Sequence, residues 1–349
     1  PTVTPYWMTA PPSGRSWMRS LCLAGQGPVS ASGPPGVSTV SPADRSRSAT
    51  RTLSAGWSRR TADRIAHSLS IAAALAVQQI VTVLSNKRVG AYHQILLNVG
   101  DIVKSCRPGN FVAISVGGDT SKMILRRAFA ISRTSDSSQY GGTMELIVAP
   151  HGAGSRWLCA QSEGSELDIV APLGTAFGIP TEPINALLIG GGYGSAPLFG
   201  LADLLKSRGC KVDMLLGASV GSKIYAPMEG KRSVNSLKIY TEDGSMGETG
   251  RVTQSLLEII ENRNIDVIYS CGPMGMLQAI TELVSATEVI HQCAVEESMA
   301  CGIGICMTCV LPVTNTDGTT SMLRSCIDGP VMDGSSVRWD LVGKVPDSL

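Results

Sequence analysis

The sequence lacks an excess of charge of either sign and has no long apolar run. Its 349 residues include 29 lysines and arginines and 28 aspartates and glutamates, which gives a formal net charge of +1. This balance argues against a general nucleic-acid or membrane-surface role, since both need a basic excess. The apolar stretch Ile71–Leu84 is interrupted by two glutamines and is too short to span a bilayer. We interpret it as a short helix that leads into a first strand.

The sequence also lacks a clear secretory signal peptide, and its ten cysteines show no pairing pattern outside one C-terminal motif. Disulfide frameworks are typical of small secreted domains. This chain is long enough for two or three domains, and 43% of its residues are hydrophobic, so a sizeable core can form. We therefore expect a reducing compartment and a cytoplasmic protein.

Acidic residues and lysine are nearly missing from the first part of the chain. In residues 1–67 the only acids are Asp44 and Asp63, against eight arginines and no lysine. A segment dominated by Ser, Pro, Gly and Arg cannot bury enough apolar surface to offset its ordering entropy, so we expect it to be mostly disordered. The chain begins with Pro1, and we interpret residues 1–78 as a disordered leader or a non-native extension. An organelle transit peptide is the alternative interpretation.

Six short β-branched runs, separated by turn residues, follow the leader. They lie at 80–84, 92–99, 110–116, 127–132, 143–149 and 167–172. Strands of this length and spacing predict an antiparallel barrel, which we assign to residues 79–182. One helix, at 152–161, is expected to cross the mouth of the barrel.

The pattern changes in residues 183–290, where apolar runs typical of buried strands alternate with helical patterns. The predicted strands are 186–190, 212–218, 237–241 and 266–270, and the predicted helices are 195–209, 250–263 and 274–286. Alternation of this kind predicts a parallel sheet of the dinucleotide-binding type over residues 183–290. The cysteine-rich tail, residues 291–349, is expected to form a third, small module.

A second C-x2-C pair is missing from the C-terminal cysteine motif. Cys301, Cys306 and Cys309 read C-x4-C-x2-C, and Cys326 follows alone. This is the plant-type spacing for a 2Fe–2S cluster, and the glycines between the first two cysteines permit the bend that brings the thiolates together. Structural zinc sites more often contain two separated C-x2-C pairs, so zinc in a non-redox protein remains the alternative.

A glycine-rich turn follows the first strand of the predicted sheet. The segment LLIGGGYGSAPLFGLA (187–202) runs through Gly190, Gly191, Gly192 and Gly194 into a helix. Glycines let the backbone approach a pyrophosphate, and the helix N-terminus offers free N–H donors. The motif favours a dinucleotide site, but taken alone it fits a plain tight turn as well.

A second turn, Cys271–Gly272–Pro273, follows a late strand of the same sheet. That position is at the carboxyl edge, where open α/β folds bind ligands. The alternative for Cys271 is a buried structural cysteine.

The predicted barrel carries a third motif, RRAFAIS (126–132), followed by HGAGS (151–155). Arg127 can hold a phosphate, and Phe129 can lie along a flat ring system. Glycines and Ser155 then open a helix where a second phosphate group would be stabilised. Taken alone, a surface arginine and a core aromatic explain the same residues.

The order of these motifs resembles the ferredoxin–NADP reductase superfamily, in which a barrel with R-x-[YF]-S precedes a phosphate turn, a glycine-rich turn and a late CGP. Four longer segments narrow the resemblance to the electron-transfer subunits of class 1B dihydroorotate dehydrogenase, over about residues 79–332. The segments are YTEDGSMGETGRVT (240–253), CGPMGMLQAI (271–280), EESMACGIGICMTC (296–309) and RSCIDGPV (324–331).

The resemblance implies an FAD-binding barrel, an NAD-binding sheet and a 2Fe–2S module, with residues for each. FAD would be lined by Arg127, Ala128, Phe129, Ala130, Ile147, Val148 and Ala149, and its diphosphate would meet Gly154 and Ser155. The nicotinamide nucleotide would border Gly190, Gly191, Gly192, Gly194, Cys271, Gly272 and Pro273. The cluster ligands would be Cys301, Cys306, Cys309 and Cys326.

Two positions depart from the family pattern. Relatives usually carry Ser or Thr at the place of Ala130, where the hydroxyl can hydrogen-bond the flavin. Many relatives carry Arg at the place of Ala149, so one cationic phosphate contact is expected to be missing. NAD is favoured over NADP because GASVGSKIYA (217–226) has no arginine for a 2′-phosphate, although Lys223 could serve.

The resemblance also implies the activity and the partner. Electrons would pass from an FMN-containing dihydroorotate dehydrogenase subunit, in a hetero-oligomer, through the cluster and FAD to NAD+, as a step of pyrimidine biosynthesis. The histidines His93, His151 and His291 have no arranged partners in sequence, so no catalytic base is expected here and dihydroorotate oxidation is assigned to the partner. A subunit of another NAD(P)H–ferredoxin-type oxidoreductase is the nearest alternative, and an inactive or truncated gene product is a further one.

Overall fold

The computed structural model describes residues 76–118 and 121–343. The expectations for residues 1–75, which include disorder and most of the lead-in helix, lie outside this part. Residues 77–79 already belong to a strand, so a helix there was wrong: Val81 and Val83 are buried while Ile80 is exposed, the two-residue period of a strand. In the described part, no helix combines the length and the apolar character that a membrane span requires.

The first part of the structure is a closed barrel of six antiparallel strands, as predicted. They pair in the order β1-β2-β5-β4-β3-β6. Alternate side chains such as Ile95, Leu97 and Ile169 fill the interior and are fully buried. The strands are β1 (Val77–Val89), β2 (Tyr92–Asn98), β3 (Phe111–Ile114), β4 (Arg127–Ser138), β5 (Gly141–Val148) and β6 (Glu166–Leu173).

A short helix, α1 (Ala153–Cys159), lies between β5 and β6, where the sequence predicted one. Its fully buried Leu158 packs into the barrel core. The hydroxyl of Ser155 accepts a hydrogen bond from the Gly152 N–H at 3.0 Å and so closes the first turn. The predicted phosphate-binding turn is thereby fixed against the end of β5.

The second part is a parallel sheet with helices, in the strand order β10-β9-β8-β7-β11-β12-β15. All neighbours are parallel except β15, which runs antiparallel to β12. The central strand β7 is buried on both faces, which explains its continuous apolar sequence. The strands are β7 (Asn185–Gly191), β8 (Lys211–Ala218), β9 (Ser236–Thr241), β10 (Glu248–Thr249), β11 (Val267–Cys271), β12 (Ile290–Ala294) and β15 (Val331–Asp333).

Four helices accompany this sheet in the described part. They are α2 (Ala196–Ser207), α3 (Pro227–Ser233), α4 (Leu256–Arg263) and α5 (Met274–Val284). The predicted helix at 250–263 begins only at Leu256. Gly250 has a φ of 136°, which a helix does not contain, and the residues that follow form turns.

The cysteine-rich tail is continuous with the sheet, because β12 and β15 are two of its strands. Between them lie the cysteine loop and a hairpin of β13 (Val310–Thr314) and β14 (Thr320–Arg324). The boundary predicted at residues 290 and 291 therefore falls at the start of β12 and stays a prediction.

The barrel and the sheet are held together by β4 and α2. Gly200 lets the two elements approach, since a methyl group there would lie 2.8 Å from the Ser132 carbonyl oxygen. Arg133 pairs with Asp203 at 3.1 Å and with Glu229. This contact fixes the glycine-rich turn before α2 so that it faces the barrel.

Candidate functional site

A cavity of about 1250 Å3 lies between the barrel and the sheet. Its walls come from β4, β5, the glycine-rich turn, the end of β11 and the segment that leads to the cysteine loop. All but two of the predicted cofactor residues line it, and the exceptions are Gly154 and Gly190. The lining members are Arg127, Ala128, Phe129, Ala130, Ile147, Val148, Ala149, Ser155, Gly191, Gly192, Gly194, Cys271, Gly272 and Pro273.

The two exceptions lie directly behind the wall. Gly190 is the buried strand residue under the turn and packs against Ser195. Gly154 lets α1 approach β4, since a methyl group there would lie 3.1 Å from Arg127 Cγ. Both glycines shape the cavity from behind, and neither faces it.

The barrel wall combines apolar side chains with one cation. Arg127 donates to the Leu125 carbonyl at 2.7 Å, and no ion pair of Arg127 occurs among the described residues. Ala128, Phe129 and Ala130 continue the wall along β4. An unpaired guanidinium beside an apolar wall suits a ligand with a flat ring and a phosphate, so this wall fits FAD. Ala130 offers such a ligand only its backbone, as the sequence indicated.

The glycine-rich turn and the Cys271–Gly272–Pro273 turn form one continuous surface. The strands that carry them are in register, with Gly190 opposite Cys271. A methyl group on Gly194 would lie 2.7 Å from Gly272 Cα, and one on Gly191 would lie 2.7 Å from Pro273 Cδ. Two motifs far apart in sequence therefore meet at the carboxyl edge of the sheet, the place where such sheets bind nucleotides.

Cys271 carries a neutral thiol at this edge. Burial raises the pKa of the Cys271 thiol to about 12, and the nearby Glu296 acts in the same direction. The group is therefore protonated at neutral pH and offers a small, polarisable contact rather than a charge.

Sequence reasoning missed Tyr193 and its neighbours in the cavity. The Tyr193 hydroxyl donates to Glu296 Oε1 at 2.8 Å. Its ring meets Tyr92 edge-on, with centroids 6.1 Å apart, and lies 5.8 Å from the His151 ring. The available signal was a lone aromatic residue inside the glycine run. His151, for which the sequence indicated no arranged partner, lines the cavity as well.

The four predicted cluster cysteines differ in exposure and interact with one another. Cys306 is exposed, whereas Cys309 and Cys326 are buried. Hydrogen bonds link the thiols of Cys306 and Cys301 and those of Cys326 and Cys309, and the thiols of Cys301 and Cys326 also interact electrostatically. Hydrogen bonds from Thr308, and then from Cys301, lower the pKa of the Cys306 thiol to about 6, which favours a thiolate.

The four thiols fit the predicted cluster, because a plant-type 2Fe–2S cluster is held by four cysteine thiolates. Its chemistry is one-electron transfer.

The loop that carries the cysteines has left-handed backbone at Gly302, Gly304 and Met307, with φ values of 73°, 80° and 58°. Gly302 packs onto the barrel, since a methyl group there would lie 3.5 Å from Phe111 and 3.6 Å from Leu173. These distances are ordinary van der Waals contacts with strands β3 and β6, so the positive φ of Gly302, and not a lack of space, favours glycine here.

Phe111 connects the cysteine loop with the cavity. Its side chain belongs to a buried cluster with Cys309 and Cys326, and Phe111 also lines the cavity. Thr308, which hydrogen-bonds Cys306, lines the cavity too. The cysteine loop therefore borders the same space as the barrel wall and the nucleotide turns.

Comparisons with known proteins support an iron–sulfur module and a nucleotide-binding sheet in this chain. Residues 296–338 match the family described as the iron-sulfur cluster binding domain of dihydroorotate dehydrogenase B, and residues 188–282 match the oxidoreductase NAD-binding domain. A solved structure described as the NADH-dependent reduced ferredoxin-NADP oxidoreductase is 26% identical, with a TM-score of 0.65 over 75% of this chain and 91% of that chain. A cytochrome P450 reductase from Amycolatopsis, at 21% identity and a TM-score of 0.50, has a similar fold over 62% of this chain and 69% of its own.

Curated relatives share most of their length with this chain, and each is named dihydroorotate dehydrogenase B (NAD(+)), electron transfer subunit. The Enterococcus faecalis protein is 33% identical over 264 residues, which are 74% of this chain and 98% of that protein. The Fusobacterium nucleatum protein is 35% identical over 244 residues, 68% of this chain and 90% of that protein. The predicted resemblance is confirmed, and the chain belongs to the family of dihydroorotate dehydrogenase B electron transfer subunits.

Proposed function

We propose that this chain passes electrons from a partner dihydroorotate dehydrogenase subunit, which carries FMN, through a 2Fe–2S cluster and FAD to NAD+. The observation that carries the proposal is the single cavity bordered by the barrel wall, both nucleotide turns and the cysteine loop. Groups bound along one cavity lie near one another, as electron transfer requires. When bound, FAD converts between the electron pair of a hydride and the single electrons of the cluster.

The chain's own residues bind and orient these groups. Arg127 neutralises charge on the FAD phosphates, and the apolar wall from Ala128 to Ala130 excludes water from one side of the ring. The closely packed turns at Gly194 and Gly272 leave room for the nucleotide backbone. No residue of this chain is assigned to remove protons from dihydroorotate, and that step belongs to the partner.

The proposed contact with the partner is the exposed face of the cysteine loop. Ile303, Ile305 and Met307 alternate along this loop and are 47%, 74% and 51% exposed. Ile305 and Met307 are the sequence neighbours of Cys306, which is itself exposed. Several large apolar side chains exposed together are typical of interaction surfaces, and a contact here brings the partner next to the cluster.

Reconstitution with the partner tests this function. The full chain, co-purified with an FMN-containing dihydroorotate dehydrogenase subunit, should reduce NAD+ when dihydroorotate is added. Ile305→Asp should weaken the complex and this coupled activity, while NADH oxidation with an artificial dye continues. Met228→Asp, at a residue that is 66% exposed on α3, is the matched control and should leave the complex intact. Normal coupled activity of the Ile305 variant would contradict the proposed contact.

The second candidate is a subunit of another NAD(P)H–ferredoxin-type oxidoreductase. It is favoured by the structural similarity to the NADH-dependent reduced ferredoxin-NADP oxidoreductase, which extends over 91% of that chain. The same purified chain distinguishes the two candidates. Under this alternative, reduced ferredoxin would support NAD+ reduction, and dihydroorotate with the FMN subunit would not.

A further inference from the structure

The residues that line the cavity include polar side chains that follow strands β8 and β9, among them Ser219, Lys223, Glu242 and Arg251. Ser219 follows β8, and Glu242 follows β9. These strands are parallel and in register, with Ala218 opposite Thr241. The Glu242 N–H also donates to the Ala218 carbonyl at 3.2 Å. Ser219 and Glu242 therefore lie level at the carboxyl edge of the sheet.

Dinucleotide-binding sheets bind the adenosine ribose of the nucleotide at this edge. The glycine-rich turn follows the first strand, and a carboxylate near the end of the second strand usually accepts a hydrogen bond from the ribose 2′-hydroxyl of NAD. An arginine in that region accommodates the 2′-phosphate of NADP instead. Here the second strand, β8, ends at Ala218, and neither this residue nor Ser219, which follows it, is a carboxylate. Glu242, on the neighbouring strand, brings a carboxylate to the same edge.

The two cations at this edge differ in their partners. Arg251 Nε donates to Glu242 Oε1 at 3.1 Å. Lys223 Nζ donates to Ser219 Oγ at 3.2 Å, and no ion pair of Lys223 occurs in the described part of the chain. The Arg251–Glu242 pair is well exposed, with side chains 77% and 53% accessible, so it can rearrange easily. Without the carboxylate, Arg251 would join Lys223 as a cation free to bind an added phosphate.

We propose that Glu242 determines the nucleotide specificity of this chain. Its carboxylate accepts a hydrogen bond from the ribose 2′-hydroxyl of NAD(H) and repels the 2′-phosphate of NADP(H). Arg251 is the positioning residue that holds this carboxylate, and it becomes a phosphate ligand when Glu242 is removed. The inference rests on the proposed function in one respect, namely that a nicotinamide nucleotide binds along this edge.

Calorimetric binding of ADP and 2′,5′-ADP to the full chain tests the proposal without any catalytic turnover. The wild-type chain should bind ADP more tightly than 2′,5′-ADP. Glu242→Gln should shift the ratio of the two dissociation constants toward 2′,5′-ADP by about tenfold or more, since a charged repulsion is lost and a cation is released. The preference of dye reduction for NADH over NADPH should fall in parallel.

Two further variants separate the roles. Glu242→Gln combined with Arg251→Gln should lose most of the gain for 2′,5′-ADP, because the released cation is gone. Glu248→Gln removes an exposed carboxylate from the neighbouring strand β10, outside the cavity, and should leave the ratio unchanged.

An unchanged ratio of the two dissociation constants in the Glu242→Gln variant would overturn the inference. If that variant still oxidised NADH, the proposed function would not be affected. A shift of the same size in the Glu248 control would overturn it as well, because any lost surface charge would then suffice. Failure of the wild-type chain to bind either nucleotide would overturn the proposed nucleotide site and this inference together.

Discussion

At the scale of single residues, Cys306 is the most exposed of the four predicted cluster cysteines. It pairs with Cys301 and accepts hydrogen bonds from Thr308. Cys306→Ser should remove the cluster while FAD and NADH–dye activity remain, because the barrel wall and the nucleotide turns do not use this sulfur. Iron content and visible absorption measure the first effect, and dye reduction measures the second.

The control for this variant is Cys106→Ser, at a half-buried thiol that donates to the Ile102 carbonyl outside the cavity. It should keep both cofactors. Loss of flavin reduction by NADH in the Cys306 variant would contradict the separation of the two sites.

Arg127 is the residue on which flavin binding is expected to depend most. The position of Ala149 supplies no second cation, so Arg127→Gln should weaken FAD binding about tenfold to a hundredfold, the value of a charge-assisted hydrogen bond. Flavin fluorescence during titration of the apoprotein measures this. Lys122→Gln, an exposed charge in the segment before β4, should leave FAD binding unchanged. Equal FAD affinity of the Arg127 variant and the wild type would show that other groups hold the phosphates.

His291 predicts a dependence of stability on pH. The ring of His291 is buried. Its Nε2 lies 2.7 Å from the Ser270 hydroxyl oxygen, and its Nδ1 lies 3.0 Å from the Thr281 hydroxyl oxygen. Burial lowers the pKa of His291 to about 3. The unfolded chain therefore binds the proton first, so this contribution to stability is complete above about pH 6.5 and is lost as pH falls from there toward 3.

The expected loss from His291 between pH 8 and pH 5 is about 2 kcal/mol. Urea unfolding at both pH values measures it. His291→Gln should unfold with a clearly weaker pH dependence in this range, even though the variant is less stable overall. The same pH dependence in both proteins would show that other groups are responsible.

At the scale of elements, the sequence predicted most strands because their patterns are local. The six barrel runs have alternating or continuous apolar residues, and β7 is a continuous apolar run. The strands β12 (IHQCA) and β15 (VMD) were missed because they are short and partly polar, and only their neighbours in the sheet make them strands. The predicted lead-in helix was wrong at residues 77–79, because these residues already belong to β1 and pair with β6.

The candidate site was predictable to the extent that its motifs are contiguous. The cysteines and both nucleotide turns could be named from the sequence. The contact between Gly194 and Gly272, the bridge from Tyr193 to Glu296 and the double role of Phe111 depend on residues brought together by folding. No local pattern encodes these three contacts.

The contact between the two turns gives a prediction at this scale. Gly194→Ala places a methyl group 2.7 Å from Gly272 Cα and 2.9 Å from the Cys271 carbonyl oxygen, so one turn must shift. Nucleotide affinity should fall about tenfold, since overpacking costs about 1 kcal/mol or more. FAD binding should be kept. Calorimetry with ADP and flavin fluorescence measure the two effects.

Gly275→Ala is the matched control for that variant, because a methyl group there meets nothing within 4 Å. It should fold as well as the wild type. If Gly194→Ala bound ADP with unchanged affinity, the close approach of the two turns would not matter for the nucleotide.

At the scale of the whole molecule, the barrel, the sheet and the cysteine loop depend on one another. The tail shares the sheet through β12 and β15, and its loop packs on β3 and β6 through Gly302. The family resemblance covers about residues 79–332 and does not include residues 1–67. Deletion of residues 1–67 should therefore leave FAD and the cluster bound. Visible absorption and thermal unfolding of the shortened chain measure this, and loss of folding would show that the leader contributes to the core.

Anaerobic titration of the purified full chain with NADH, followed by electron paramagnetic resonance, tests the central claim most directly. If electrons pass along one cavity from nucleotide to flavin to cluster, NADH should bleach the flavin absorption and produce the signal of a reduced 2Fe–2S cluster. The signal should be absent when FAD has been removed. A flavin that bleaches beside a cluster that NADH leaves oxidised, but that dithionite reduces, would contradict the account.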